Sequence, residues 1–184
     1  MPIPLNGFGP SSANRLLFGP GAVRINYGIA GERLLGATRG GSEFNPGVKQ
    51  REIEGDFPYG NLKGFRVLDE VMPSLTVNLM EISKANLLLA IPGLRETTVG
   101  AFAILKPDDI ISTDYITNIA LLATISGSAD PVICVVKNVL SNGEITMKLD
   151  NKSEMVLSIT FNGHFDPAAL TDYPFESRFP TSAT

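Results

Sequence analysis

The spacing of glycine constrains this chain more than any other feature. Eleven of its eighteen glycines fall between Phe18 and Phe65, at positions 19, 21, 28, 31, 36, 40, 41, 47, 55, 60 and 64. They interrupt short runs with the composition of strands. A residue without Cβ reaches positive φ and lets backbones approach closely, so this density predicts bends, bulges and tight loops. Such a region can hold phosphate, or it can turn corners and meet a neighbouring molecule. The rest of the chain favours the second use.

Downstream, alternation takes over. In Pro73–Glu81, Leu75, Val77 and Leu79 share one face while Ser74, Thr76 and Asn78 share the other. That period of two predicts a strand with one apolar side. Glu154–Gly163 repeats the pattern, with Met155, Leu157, Ile159 and Phe161 opposite Glu154, Ser158, Thr160 and Asn162. Between these segments, Ser83 is placed to cap a short helix over Lys84–Ile91 that buries Leu87, Leu88 and part of Leu89 and Ile91. Pro92-Gly93 ends that helix.

Further strands are expected at Arg15–Gly28, Arg33–Thr38, Val48–Glu54, Tyr115–Ile125, Pro131–Leu140 and Glu144–Leu149, the last two joined by a hairpin at Ser141-Asn142-Gly143. IALLATI within Tyr115–Ile125 is compatible with helix, but Ile and Thr enrichment favours strand. Alternation there would put Tyr115, Thr117, Ile119, Leu121, Ala123 and Ile125 on one face. Pro46-Gly47, Pro58-Tyr59-Gly60 and Pro107-Asp108-Asp109 read as loops or turns.

The predicted fold is mainly antiparallel β, a sandwich or barrel-like domain with one short flanking helix. A length of 184 residues suits one domain. Residues 1–14 form an irregular arm, 36–64 a glycine-rich loop region and 166–184 an extended strap.

Charge narrows the function. A net charge of −4 argues against a general nucleic-acid binder, whose affinity comes from Lys and Arg releasing counterions at phosphates. Only 18% of residues are charged, so much of the surface is neutral and suited to meeting other subunits. No run of apolar residues is long enough for a membrane span, and the first residues carry no secretion signal, which suggests a cytosolic product. The single Cys134, in an apolar run, is expected to be a buried, inert thiol and excludes a disulfide within the chain.

No pattern of residues predicts catalysis. Gly36–Ser42 lacks the lysine and spacing of a phosphate loop, so Arg39 is expected to make a salt bridge or a subunit contact. His164, the sole histidine, has Asp166 two residues away, but Pro167 marks a turn there and no nucleophile motif accompanies them. Asp108, Asp109 and Asp114 do not follow a calcium-loop spacing. Glu52, Glu54 and Asp56 read as a solvated face. No cofactor or metal is expected.

The string FGPGAVRINYG, then GERLLGATRGGSEF, then REIEGDFPYGNLKGFRVLDEVMPSLTVNLMEIS with NLLLAI, resembles the major tail tube proteins of long-tailed bacteriophages. MVLSITFNGHFDP followed by PFESRFP is similar to that family's ending. The resemblance covers residues 15–95 well, the last thirty moderately and the middle poorly. It implies hexameric rings whose strands join into one continuous inner β-barrel and which stack into a hollow tube. The partners it implies are further copies, a tape-measure protein, tail-tip or terminator proteins, and DNA in passage, all within the virion tail. Ser74, Thr76, Asn78, Ser158, Thr160 and Asn162 would then face the lumen, and Arg39, Gly40, Gly41 and Phe44 would lie between subunits. Two alternatives remain at this level: a tail-terminator or distal tail ring, and a small β-fold hydrolase or ligand-binding domain.

Overall fold

A computed structural model describes residues 12–53, 62–147, 149, 151 and 154–181. Most of the arm and the Pro58-Tyr59-Gly60 loop lie outside these residues. A 3-10 turn at Ser12–Asn14 leads into β1 (Leu17–Ile25), β2 (Arg33–Leu34), β3 (Thr38–Asn45), β4 (Val48–Glu52), β5 (Arg66–Val71) and β6 (Ser74–Leu79). After the helix α1 (Lys84–Ala90) come β7 (Leu94–Val99), β8 (Phe102–Pro107), β9 (Ile116–Ile125), β10 (Val132–Ser141), β11 (Leu157–Gly163) and β12 (Phe175–Arg178).

Eight of these strands form one sheet in the order β2-β1-β9-β10-β11-β6-β3, with β12 also on β10. Every pairing is antiparallel. The sheet wraps on itself because its two end strands, β2 and β3, are consecutive in the chain. Between them Leu35 N–H donates to Val23 O on β1 at 2.9 Å, while Ala37 O accepts from Met80 N–H just beyond β6 at 2.9 Å. The result is a barrel-like sandwich filled from both sides.

Its centre is the expected pair of alternating strands. Leu75, Val77 and Leu79 of β6 stand opposite Phe161, Ile159 and Leu157 of β11, and all six are fully buried. Burying side chains of this size is worth about 1.5–3 kcal/mol each, which fixes the register. Val23, Ile25, Leu35, Ile119, Val136 and Val139 complete the core.

The helix forms as its cap predicts: Ser83 Oγ accepts from Asn86 N–H at 3.1 Å. Its fully buried residues, however, are Asn86 and Ala90, one turn apart, and the leucines are only half-buried. Asn86 Nδ2 donates to Leu35 O at 3.0 Å and Glu81 O at 3.1 Å, tying α1 to the crossing between β2 and β3. Ser141 Oγ donates to Ala90 O at 2.7 Å and holds the other end.

Several expectations need correction. Glu144–Leu149 forms no strand among its described residues, despite its alternation. The end of β10 is already paired with β11 through Val139, Leu140 and Ser141, so no edge was left for it. Alternation along β9 also breaks: Ile116 is buried and Thr117 exposed. The break coincides with Asn138 on β10, whose φ is 49° and on whose two sides Val136 and Val139 are both buried. Leu94–Val99 and Phe102–Pro107 form a further hairpin, outside the expected strands. Within the glycine-rich region, Thr38–Asn45 is a strand, not a loop; Gly40 and Gly41 (φ 84° and 83°) sit in its bulge.

Candidate assembly surfaces

The residues considered for catalysis are occupied in structural roles. His164 Nδ1 hydrogen-bonds Asn138 O at 2.9 Å, Asn138 Nδ2 returns a bond to His164 O at 3.2 Å, and Tyr115 meets the imidazole edge-on at 5.2 Å. The histidine therefore braces the irregular corner of β10. Asp166 is a turn residue, as expected: its Oδ1 accepts from Ala168 N–H at 2.8 Å. Asp108 accepts from Asp109 N–H, and Glu52 pairs with Arg66 at 2.6 Å. Glu54 and Asp56 lie outside the described residues. Among those described, no group of three or more His, Cys, Asp or Glu is placed to hold a metal ion. Cys134 is half-buried, where full burial was expected, and Ser177 Oγ donates to its sulfur at 3.8 Å.

The six small polar residues come together. Antiparallel register sets Ser74 against Asn162, Thr76 against Thr160, and Asn78 against Ser158, and directly opposed residues share a face. Thr76 Oγ1 and Thr160 Oγ1 are 3.0 Å apart. The face continues onto β3, where Asn45 opposes Ser74 and Glu43 opposes Thr76. Two rows thus cross three strands, Asn45–Ser74–Asn162 and Glu43–Thr76–Thr160, with Glu43 the one ionisable side chain in them. The opposite side of the same strands is the core.

The four residues expected between subunits all lie on β3. Arg39 pairs with Glu154 at 3.0 Å, with both side chains exposed. Gly41 O accepts from Asn78 Nδ2 at 3.3 Å across the strand pair. Phe44 points inward, half-buried against the core, its ring 5.9 Å from Phe175 of β12.

Free strand edges surround this body. Among the described residues, β3 is paired with β6 alone and β12 with β10 alone, while β4 and β5 pair only with each other, as do β7 and β8. The β4–β5 hairpin carries three exposed cross-strand ion pairs: Lys49–Glu70 at 2.5 Å, Arg51–Asp69 at 3.0 Å and Arg66–Glu52. Exposed pairs contribute little stability each, but charges along open edges discourage indiscriminate strand addition. The β7–β8 hairpin is the opposite in character. Val99, Phe102 and Ile104 are exposed on one side of it, Phe102 to 75%.

Its root is held by Arg95, which donates to both carboxylate oxygens of Asp114 at 2.8 and 3.0 Å and to Asp109 O at 2.9 Å. The Arg95 hydrogen bonds, and then the Ile111 amide, hold the Asp114 carboxyl below its ordinary value. A lowered folded pKa contributes stability that is complete above the unfolded value near about 3.9 and is lost as pH falls through the folded one. The Asp114→Asn protein should therefore be less stable than the parent at pH 7, with the gap closing in acid below about pH 4. Thermal unfolding of both proteins across that range measures it; a gap that persists unchanged at low pH contradicts the assignment.

No helix among the described residues is long and apolar enough to cross a membrane. No family model matches the chain, and no curated protein matches it.

Proposed function

We propose that this chain is a structural subunit that polymerises into a hollow tube, copies joining strand edges within rings and the rings stacking. The observation carrying the proposal is the polar face whose two rows run across β3, β6 and β11 and end at the edge of β3 that has no partner among the described strands. Another copy added at that edge extends the same face, and repetition around a ring yields a channel wall. The resemblance to phage tail tube proteins supplies the wider setting: six copies per ring, a tape-measure protein inside during assembly, DNA in transit afterwards, and residence in the virion tail.

The chemistry of the face suits a conduit. Hydroxyl and amide groups keep it wetted, and no Lys or Arg stands in its two rows to release counterions at a phosphate backbone. Glu43 and the net charge of −4 add mild repulsion. A long polyanion can then slide without being held.

Electron microscopy of concentrated protein provides the test, with long tubes of uniform width expected. Isolated rings would instead favour a terminator or distal ring part. The wall assignment is read with Ser158→Cys in a Cys134→Ala background and a bulky polyethylene-glycol maleimide. Labelling should be ready in the monomer and suppressed in intact tubes; equal labelling in both places the face on the outside and defeats the reading.

A further inference from the structure

We propose that β12 is an exchangeable strand: in the assembled protein, Phe175–Arg178 of one copy pairs with Ile133–Val136 of another. The inference rests on the self-association proposed above and names one of its contacts. Within a single chain the pairing already shows which sequence fits this edge of β10. Val136 opposes Phe175, Val135 opposes Glu176, Cys134 opposes Ser177, and Ile133 opposes Arg178. A second copy carries the same four residues, so exchange preserves each contact and its net cost is confined to the connection.

That connection is long and exposed. Residues 164–174 separate β11 from β12, and 166–173 are all exposed. Eleven residues reach about 36–40 Å when extended, comparable with the width of a domain this size. Beyond its own turns at 166–172, the strap's attachments gather near its end, where Pro174 is buried and Tyr173 lies 6.1 Å from the ring of Phe165. Lys137 Nζ reaches both oxygens of Asp172 at 2.8 and 2.9 Å, Lys137 N–H donates to Pro174 O at 2.8 Å, and Phe175 touches Phe44.

Two observations point beyond the strap's own chain. The second edge of β12 has no partner strand among the described residues. The strap also carries two large apolar side chains in solvent, Leu170 at 69% and Phe179 at 64%, and Tyr173, half exposed beside the ring of Phe165. A tail that only completed its own sheet gains nothing from these groups. A strap lying across a junction between copies buries them.

The opposed pair Cys134 and Ser177 gives a direct test. Directly opposed residues in antiparallel strands have Cα separations that a disulfide accepts. The single variant Ser177→Cys, kept monomeric by dilution and oxidised with copper phenanthroline and oxygen, should form its bridge within one chain, which verifies the geometry. Unaltered protein is then mixed with a Cys134→Ala, Ser177→Cys protein, so that each chain holds one thiol, and the mixture is assembled and oxidised. A linked pair on a non-reducing gel, with the Cys134–position 177 peptide found by mass spectrometry, is expected in the assembled fraction and absent from the monomer. Assembled material without that pair, in which the single variant still closes its bridge within one chain, overturns exchange and leaves self-association standing. Absence of any assembly removes both.

Discussion

Truncating Phe161 to alanine is expected to remove about 3–5 kcal/mol of stability, the largest loss from any single core truncation here. Phe161 is fully buried on β11, opposite Leu75 of β6 on one side and Ser141 of β10 on the other. Three strands therefore converge on one ring, and the neighbours cannot close over the gap without breaking the register that aligns the polar face behind them. Since a domain has only about 5–15 kcal/mol in total, this change should bring the protein near the edge of folding. Phe44→Ala is the matched comparison. Its ring is half-buried where β3 and β12 approach each other, so part of the space it leaves opens to water and the loss should be smaller. Denaturant unfolding of both variants decides the matter: comparable losses would mean that the interior is not centred on β6 and β11.

How far this could be read from residues alone follows from which interactions are local. β6 and β11 were legible because strict alternation reports a buried face whatever the partner is. The Ser83 cap was legible because its hydrogen bond spans three residues. The antiparallel β class and the small-polar face follow from the same periodicity. What failed depended on partners far away in sequence. Glu144–Leu149 alternates well, yet its place beside β10 belongs to β11, and nothing local announces that the edge is taken. Gly40 and Gly41 suggested a loop, whereas a bulge within a strand has the same composition; only the register against β6 distinguishes them. Arg39 was open to a salt bridge or a subunit contact, and its ion-pair partner Glu154 lies 115 residues away. The β7–β8 hairpin carried usable signals, Thr97, Thr98 and Val99 before Gly100, and went unread. Asn138 is the hardest case, because one left-handed residue inside an apolar run shifts which side chains face inward without altering the composition around it.

Because Thr38–Asn45 is a strand of the main sheet, only part of the glycine-rich region can be removed without loss of the fold. Shortening residues 40–60 would cut through β3, taking Phe44 from the core and the pairing partners of Ser74, Leu75, Thr76 and Val77. That protein should not fold. Excising Lys49–Glu70 and joining Val48 to Val71 through Asn-Gly should give a folded monomer that no longer forms tubes. Val48 and Val71 are directly opposed in the register, the spacing that a two-residue turn bridges, and Met72 N–H still donates to Gly47 O at 3.0 Å behind them. Gly47 must be kept, since a Cβ there would stand 1.8 Å from Met72 O. The eight-stranded sheet loses no hydrogen bond, because β4 and β5 pair only with each other. Stability should change by no more than about 1 kcal/mol, the scale of altering the length of a surface connection. Assembly should be lost if rings stack through this hairpin, which forms a sheet of its own apart from the eight-stranded body and carries three ion pairs on its surface. Sedimentation and electron microscopy of the excised protein settle it: a folded species that still builds normal tubes would show that stacking depends on other surfaces.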